Sequence, residues 1–298
     1  MSQVIGFPPS GVCVPMITPL DDEGGVDAGA MAQLVEHLLD GGVSGLFVLG
    51  GAGEGPWLTP SQQSATIEHA VRAVAGRVPV IAGCLEPSAA RCVEAVKMIE
   101  SAGADALALA SPYYFNADGV LQVHHFHVIA AATSLPLMLY DIPSTTHNPF
   151  ALDTIRQLLA IDSLMLIKDS TGNWDRFQHV LHAREDRPDV RILQGIDALA
   201  LRSIKAGADG VLTGLTNLSP ELFARLVDRA QAEDVEAAEA LQASIDSLCE
   251  IYRQGYWLEC LKFAVSCLGI SSGDLCSRPA TLAPDGKDRI RQIVAKLA

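Results

Sequence analysis

Leu164, Met165, Leu166 and Ile167 run straight into Lys168, Asp169 and Ser170. An ammonium group at the end of a buried strand has two readings. It is an ion pair with Asp169 at a strand terminus, or it is an amine whose desolvation favours the neutral, nucleophilic form. A lysine that attacks a carbonyl needs a partner able to give and take protons as the carbinolamine forms and collapses, and a phenol can do both. Tyr140 stands at the end of the preceding apolar run, Leu135 to Leu139. Glycines at 50, 51, 53 and 55, interrupted by Ala52 and Glu54, offer backbone N–H groups that could cradle a carboxylate. The other reading of that segment is a tight turn that needs positive φ.

Further candidates follow other apolar runs. Ser111-Pro112-Tyr113-Tyr114-Phe115 follows one, and Asp141-Ile142-Pro143-Ser144-Thr145-Thr146-His147 follows another. Asp141 beside Tyr140 either holds the lysine protonated or acts as a base. His147 reads as a group for substrate hydroxyls or acid–base help near neutral pH, or as an exposed loop histidine. Trp57 and Trp174 either wall a site or pack in its rim. His124, His125 and His127 do not form a tight chelate, because neighbouring positions on a helix diverge by about 100°. No metal or cofactor is expected.

These residues all need the same kind of support, strands that end at one mouth. Eight apolar runs supply it, at 12–18, 45–50, 78–83, 104–110, 135–140, 164–168, 190–195 and 208–214. Amphipathic stretches at 28–42, 61–76 and 88–104 lie between the first runs, and glycines such as Gly103 and Gly207 follow helical segments as left-handed caps. Strands apolar nearly throughout belong to a parallel sheet covered on both faces. Repetition at roughly 30-residue spacing predicts an α/β fold, a (β/α)8 TIM barrel, whose chemistry sits at the C-terminal ends of the strands. No GxGxxG follows the first strand, which counts against a dinucleotide cofactor. After about residue 231 the pattern turns to helices without strands. The expected organisation is a barrel with an N-terminal arm at 1–231 and a C-terminal helical extension at 232–298.

The chain has 298 residues, 49% of them hydrophobic, and a formal net charge of −14. An acidic chain without a basic block is a poor partner for nucleic acid or an anionic membrane. No apolar stretch reaches the roughly 20 residues of a membrane span. Seven cysteines without a CxxC pair read as reduced, buried thiols, and a cytoplasmic location is expected.

The order GxxGE, SPYY, YxxPS, an apolar run ending IKDS, then QGxD resembles the N-acetylneuraminate lyase and dihydrodipicolinate synthase family. The resemblance runs from about Gly11 to Pro279 and includes Pro15 to Pro19 and Arg278-Pro279. It implies a Schiff base between Lys168 and a pyruvate-type 2-oxo acid, with Tyr140 shuttling protons. It implies that the N–H groups of Gly51 and Ala52 hold the carboxylate and that Val211, near Gly210, lines the pyruvate methyl. Tyr114 matches a tyrosine lent to a neighbouring subunit, which implies a homotetramer built as a dimer of dimers. Two departures stand out. Family members usually read GTTGE or GSTGE where this chain has Gly50-Gly51-Ala52-Gly53-Glu54, so a hydroxyl that links the phenol to the neighbour's tyrosine is missing. Water, Ser111, Thr145, Thr146 or the substrate must replace it. Dihydrodipicolinate synthases also carry an arginine where this chain has Thr145, which forfeits a bidentate carboxylate contact. The leading expectation is a lyase or aldolase for a 2-keto-3-deoxy sugar acid or related 4-hydroxy-2-oxo acid. The alternatives are a dehydratase using the same imine, a 4-hydroxy-tetrahydrodipicolinate synthase, and a non-catalytic binder of 2-oxo acids.

Overall fold

The computed structural model describes residues 7–277 and 279–297; Arg278 of the Arg278-Pro279 pair and the first six residues of the expected arm lie outside them. Eight strands close a parallel barrel in chain order: β1 (Gly11–Pro15), β2 (Gly45–Val48), β3 (Val80–Gly83), β4 (Ala106–Ala110), β5 (Leu137–Asp141), β6 (Leu164–Asp169), β7 (Arg191–Gln194) and β8 (Gly210–Leu212). Each lies within an apolar run of the sequence or one residue beyond it. The outer helices are α1 (Ala28–Asp40), α2 (Pro60–Val74), α3 (Ala89–Ser101), α4 (Gly119–Ala130), α5 (Pro143–Thr146), α6 (Leu152–Leu159), α7 (Trp174–Ala183), α8 (Ala200–Lys205) and α9 (Pro220–Gln231). Then come α10 (Val235–Leu248), α11 (Trp257–Ser266) and α12 (Pro284–Val294). A 3-10 segment, Cys249–Gln254, follows α10. Among the described residues, no helix is long and apolar enough to cross a membrane.

Side chains on a strand alternate between two cores. Cys13, Phe47, Ile81, Met138, Tyr140, Leu166, Leu193 and Leu212 fill the barrel interior. Their neighbours, such as Val12, Val48, Leu139, Ile167 and Val211, pack outward with the helices. Both layers are apolar, so the strands read as unbroken hydrophobic runs. Helix starts follow local chemistry: the Asp27 carboxylate accepts the Ala30 N–H at 2.9 Å, and Asp118 accepts from Leu121 at 2.9 Å.

Several runs end as strands before their apolar character stops. β2 ends at Val48 because Leu49 takes a left-handed φ of 59°. A Cβ at Gly83 or Gly55 would lie 2.4 or 2.0 Å from the Leu49 carbonyl oxygen, so only glycine fits against this bend.

Candidate active site

Lys168 is the penultimate residue of β6 and points into the barrel mouth. It is 4% exposed. Its Nζ stands 4.2 Å from the centroid of the Tyr140 ring and 5.2 Å from that of Phe47. Parallel pairing puts Tyr140 directly opposite Lys168, and the Tyr140 ring meets Phe47 edge-on at 5.6 Å. Burial lowers the Lys168 ammonium to about 7, with Cys13 and Asp197 opposing. The ion pair with Asp169 does not form. Asp169 turns to the opposite face, where its Oδ1 accepts the Thr171 N–H at 2.9 Å and the Thr171 hydroxyl at 2.7 Å.

Asp141 does not serve Lys168 either. It sits one residue past Tyr140 and so faces outward, where it pairs with Arg176 of α7. The carboxylate coupled to the lysine is Asp197, after β7. Burial raises Asp197 to about 6, against the Leu215 N–H, which donates to its Oδ1 at 3.3 Å. Sequence reading noted Asp197 only as part of QGxD. Nothing in that spacing shows which carboxylate faces the amine.

The turn after β2 lies beside Tyr140. A Cβ at Gly50 would come within 2.6 Å of the Phe47 ring, and one at Gly53 within 2.9 Å of backbone. At Gly51 the nearest atom is the Tyr140 hydroxyl, at 3.8 Å. Gly51 is therefore not a packing glycine; it is a bare position facing the phenol. The left-handed residues of the turn are Leu49 and Glu54, not its glycines. Among the described residues, no protein group accepts the N–H of Gly51 or Ala52. Glu54 anchors the turn from beneath: Lys262 of α11 donates to its Oε1 at 2.7 Å, and the Cys276 N–H donates to its Oε2 at 2.7 Å. Both members of this ion pair are fully buried.

Among the described residues, none of the expected hydroxyls is hydrogen-bonded to Tyr140. Ser111 accepts from Gln122 at 2.9 Å, and Thr146 donates to the Ile142 carbonyl at 3.2 Å. Burial pushes the Tyr140 phenol up, and the nearby Ser170 hydroxyl opposes that rise. The Ser170 N–H donates to the Asp141 carbonyl at 2.9 Å. Its Oγ occupies the space of a missing side chain, 2.0 Å from where a Cβ at Gly195 would stand.

Other expected residues fall further out. Val211 is a correction: it faces the helices, and the inward residue of β8 is Leu212. The three-residue strand alternates, so the two neighbours cannot both line the mouth. Thr145 and His147 are exposed at the end of α5, where His147 has a φ of 57°. Among the described residues, no hydrogen bond or ion pair joins either to Lys168 or Tyr140. Tyr114 is 88% exposed with a φ of 78°, and packs edge-on against Phe115 away from its own barrel mouth. Trp57 is half exposed at the rim, and Trp174 lies under the Arg202 guanidinium at 3.9 Å. His124, His125 and His127 point to different surroundings, the middle one buried and the outer two exposed.

Comparison with known proteins places these features in a family. The pattern of the Dihydrodipicolinate synthetase family matches residues 8–297. An uncharacterized DapA-like lyase of Halobacterium salinarum is 32% identical over 287 residues, covering 96% of this chain and 93% of the relative. A 4-hydroxy-tetrahydrodipicolinate synthase of Gluconacetobacter diazotrophicus is 31% identical, covering 95% of each chain. Among solved structures, the dihydrodipicolinate synthase of Bacteroides thetaiotaomicron superposes with a TM-score of 0.92 at 32% identity, over 97% of this chain and 99% of that one. YagE, an Escherichia coli K12 prophage protein of the dihydrodipicolinic acid synthase family, solved in complex with pyruvate, gives a TM-score of 0.92 at 23% identity, over 97% of this chain and 99% of that one. The chain belongs to the dihydrodipicolinate synthetase family.

Proposed function

We propose that this chain is a lyase that forms a lysine imine with a pyruvate-type 2-oxo acid and makes or breaks a carbon–carbon bond next to it. One observation carries the proposal: Lys168 is a buried amine, brought down to about 7 and facing Tyr140, and among the described residues no ion pair holds it. Near neutral pH about half of such amines are unprotonated and able to attack a keto carbon. The carbinolamine then loses water to give the imine. The Tyr140 phenol is placed to pass the protons of both steps, and Ser170 supports its anion. The N–H groups of Gly51 and Ala52 take the substrate carboxylate. Leu212, not Val211, packs against the methyl end. Cleavage of a 4-hydroxy-2-oxo acid removes the 4-hydroxyl proton, breaks the C3–C4 bond and leaves its electrons in the enamine. Reprotonation and hydrolysis release pyruvate and restore the amine.

The preferred substrates are 2-keto-3-deoxy sugar acids. Gly51 is bare and Thr145 is uncharged, so the mouth has room for a hydroxylated chain but no arginine at 145 for a second carboxylate. The names of several relatives favour a second reading, 4-hydroxy-tetrahydrodipicolinate synthesis. Tyr114 and Phe115 pack edge-on and are exposed, as is Val120 at the start of α4. We assign these residues to contact with a second copy, within a homotetramer. Coupled-dehydrogenase detection of pyruvate release from a panel of 2-oxo acids tests the substrate assignment. Release from 2-keto-3-deoxy sugar acids is expected; activity only in 4-hydroxy-tetrahydrodipicolinate synthesis would replace the first reading with the second.

A further inference from the structure

A cluster of nucleophilic side chains lies outside the barrel mouth. Cys84 follows β3 and Cys92 lies in the first turn of α3; both are buried. The two thiols are interlocked. Cys84 Sγ donates to the Cys92 carbonyl at 3.6 Å, and Cys92 Sγ to the Cys84 carbonyl at 3.6 Å. Cys92 Sγ also stands 4.0 Å from His125 Nε2. His125 is 2% exposed, and its Nδ1 is buried with no hydrogen-bond partner. The ring lines a cavity of about 200 Å³, walled also by Pro112, Tyr113 and Phe115. Among the described residues, no three His, Cys, Asp or Glu side chains are placed to hold a metal ion. A purely packing role would not require two thiols each bonded to the other residue's carbonyl, with an imidazole beside one of them.

We infer that Cys84 and Cys92 form a peroxide-reactive dithiol, with Cys92 as the attacking sulfur, His125 as its base and Cys84 as the resolving thiol. Hydrogen bonding from Cys84 pulls the Cys92 thiol down, with His125 adding to it, while the same contact pushes Cys84 up. His125 takes the Cys92 proton, and the thiolate attacks the distal oxygen of a hydroperoxide. The O–O bond breaks, and the leaving alkoxide or hydroxide takes a proton from the imidazolium. Cys92 is then a sulfenic acid. Cys84 sulfur attacks Cys92 sulfur, the S–O bond breaks, and the departing hydroxide takes the Cys84 proton as water. Two thiols and one hydroperoxide thus give one disulfide, one alcohol or water, and one further water. The disulfide would close the β3–α3 turn, whose Leu85 carbonyl accepts the Tyr113 hydroxyl at 3.0 Å.

The first test uses the full, unsubstituted chain. Native protein is treated with stoichiometric hydrogen peroxide, free thiols are blocked, and peptides are mapped without reduction. A Cys84–Cys92 cross-link reversed by dithiothreitol is expected. Exposed Cys267 serves as the internal control for simple accessibility. Oxidation confined to Cys267, with both buried thiols still alkylated after unfolding, would overturn the inference. Cys84→Ser should trap a dimedone adduct at Cys92. His125→Asn should slow cross-linking at least fivefold without changing Cys267 alkylation, and an unchanged rate would remove His125 from the scheme.

Discussion

The proposed role of Lys168 rests on where its charge is held. A lysine in water keeps its proton to above pH 10, whereas burial here brings that point to about 7. Tyr140 is pushed the other way by the same burial, so the pair is a neutral amine beside a neutral phenol. A phenol that passes protons needs its anion supported, and in the proposed reaction the Ser170 hydroxyl, which opposes the rise, gives that support. Ser170→Ala should lower kcat by about 10-fold, the loss expected for one hydrogen bond to a charged group. It should also raise the alkaline limb of the pH profile. Adding Gly51→Thr should recover much of both, because the Cβ at 51 stands 3.8 Å from the phenol oxygen with room to spare. Steady-state kinetics of both variants decide it: a single variant as active as the parent removes Ser170 from the account. Lys168 and Tyr140 were legible in the sequence, because each ends an apolar run. Ser170 was not, although it stands two residues from Lys168. Its hydroxyl matters only because Gly195, on another strand, leaves space for it.

At the scale of elements, register does the positioning. β5 and β6 pair so that Tyr140 meets Lys168 and Asp141 meets Asp169 one step further. The inward pair lines the proposed site, and the outward pair binds the scaffold. Arg176, at the start of α7, ties the end of β5 through Asp141, which is 2% exposed. Arg176→Met leaves that carboxylate buried without a partner and should cost about 3–5 kcal/mol in denaturant unfolding. Adding Asp141→Leu should return much of the loss; a single variant with unchanged stability would contradict the clamp. The strands were readable from their apolar runs and the barrel from their number and spacing. Exact strand ends were not, since apolar residues continue past Val48 and Pro15 into bends fixed by distant contacts. Val211 was misassigned for a related reason. In a three-residue strand, only pairing with β1 and β7 says which residue faces inward.

The whole molecule carries a formal charge of −14, which disfavours the approach of an anionic 2-oxo acid. In the proposed reaction, attraction comes from the barrel mouth itself, from the N–H groups of Gly51 and Ala52 and from the amine. The helices after α9 reach back to that mouth, because Lys262 of α11 holds Glu54 beneath the turn that bears Gly51. On the outside, Tyr114, Phe115 and Val120 remain exposed in one chain. Phe115→Glu should weaken self-association by roughly 10-fold or more, as loss of a buried aromatic anchor does. Sedimentation velocity measures it, and an unaltered distribution would exclude this face as the contact. The most direct measurement concerns the imine. The protein is incubated with pyruvate, reduced with borohydride, and mapped by peptide mass spectrometry across pH 5 to 9. The predicted result is an adduct on Lys168, absent in Lys168→Ala, whose rate of formation rises with pH and levels off above about 7 as the amine loses its proton. No adduct with pyruvate or longer 2-oxo acids, or an adduct on another lysine, would contradict the assignment of Lys168 as the nucleophile.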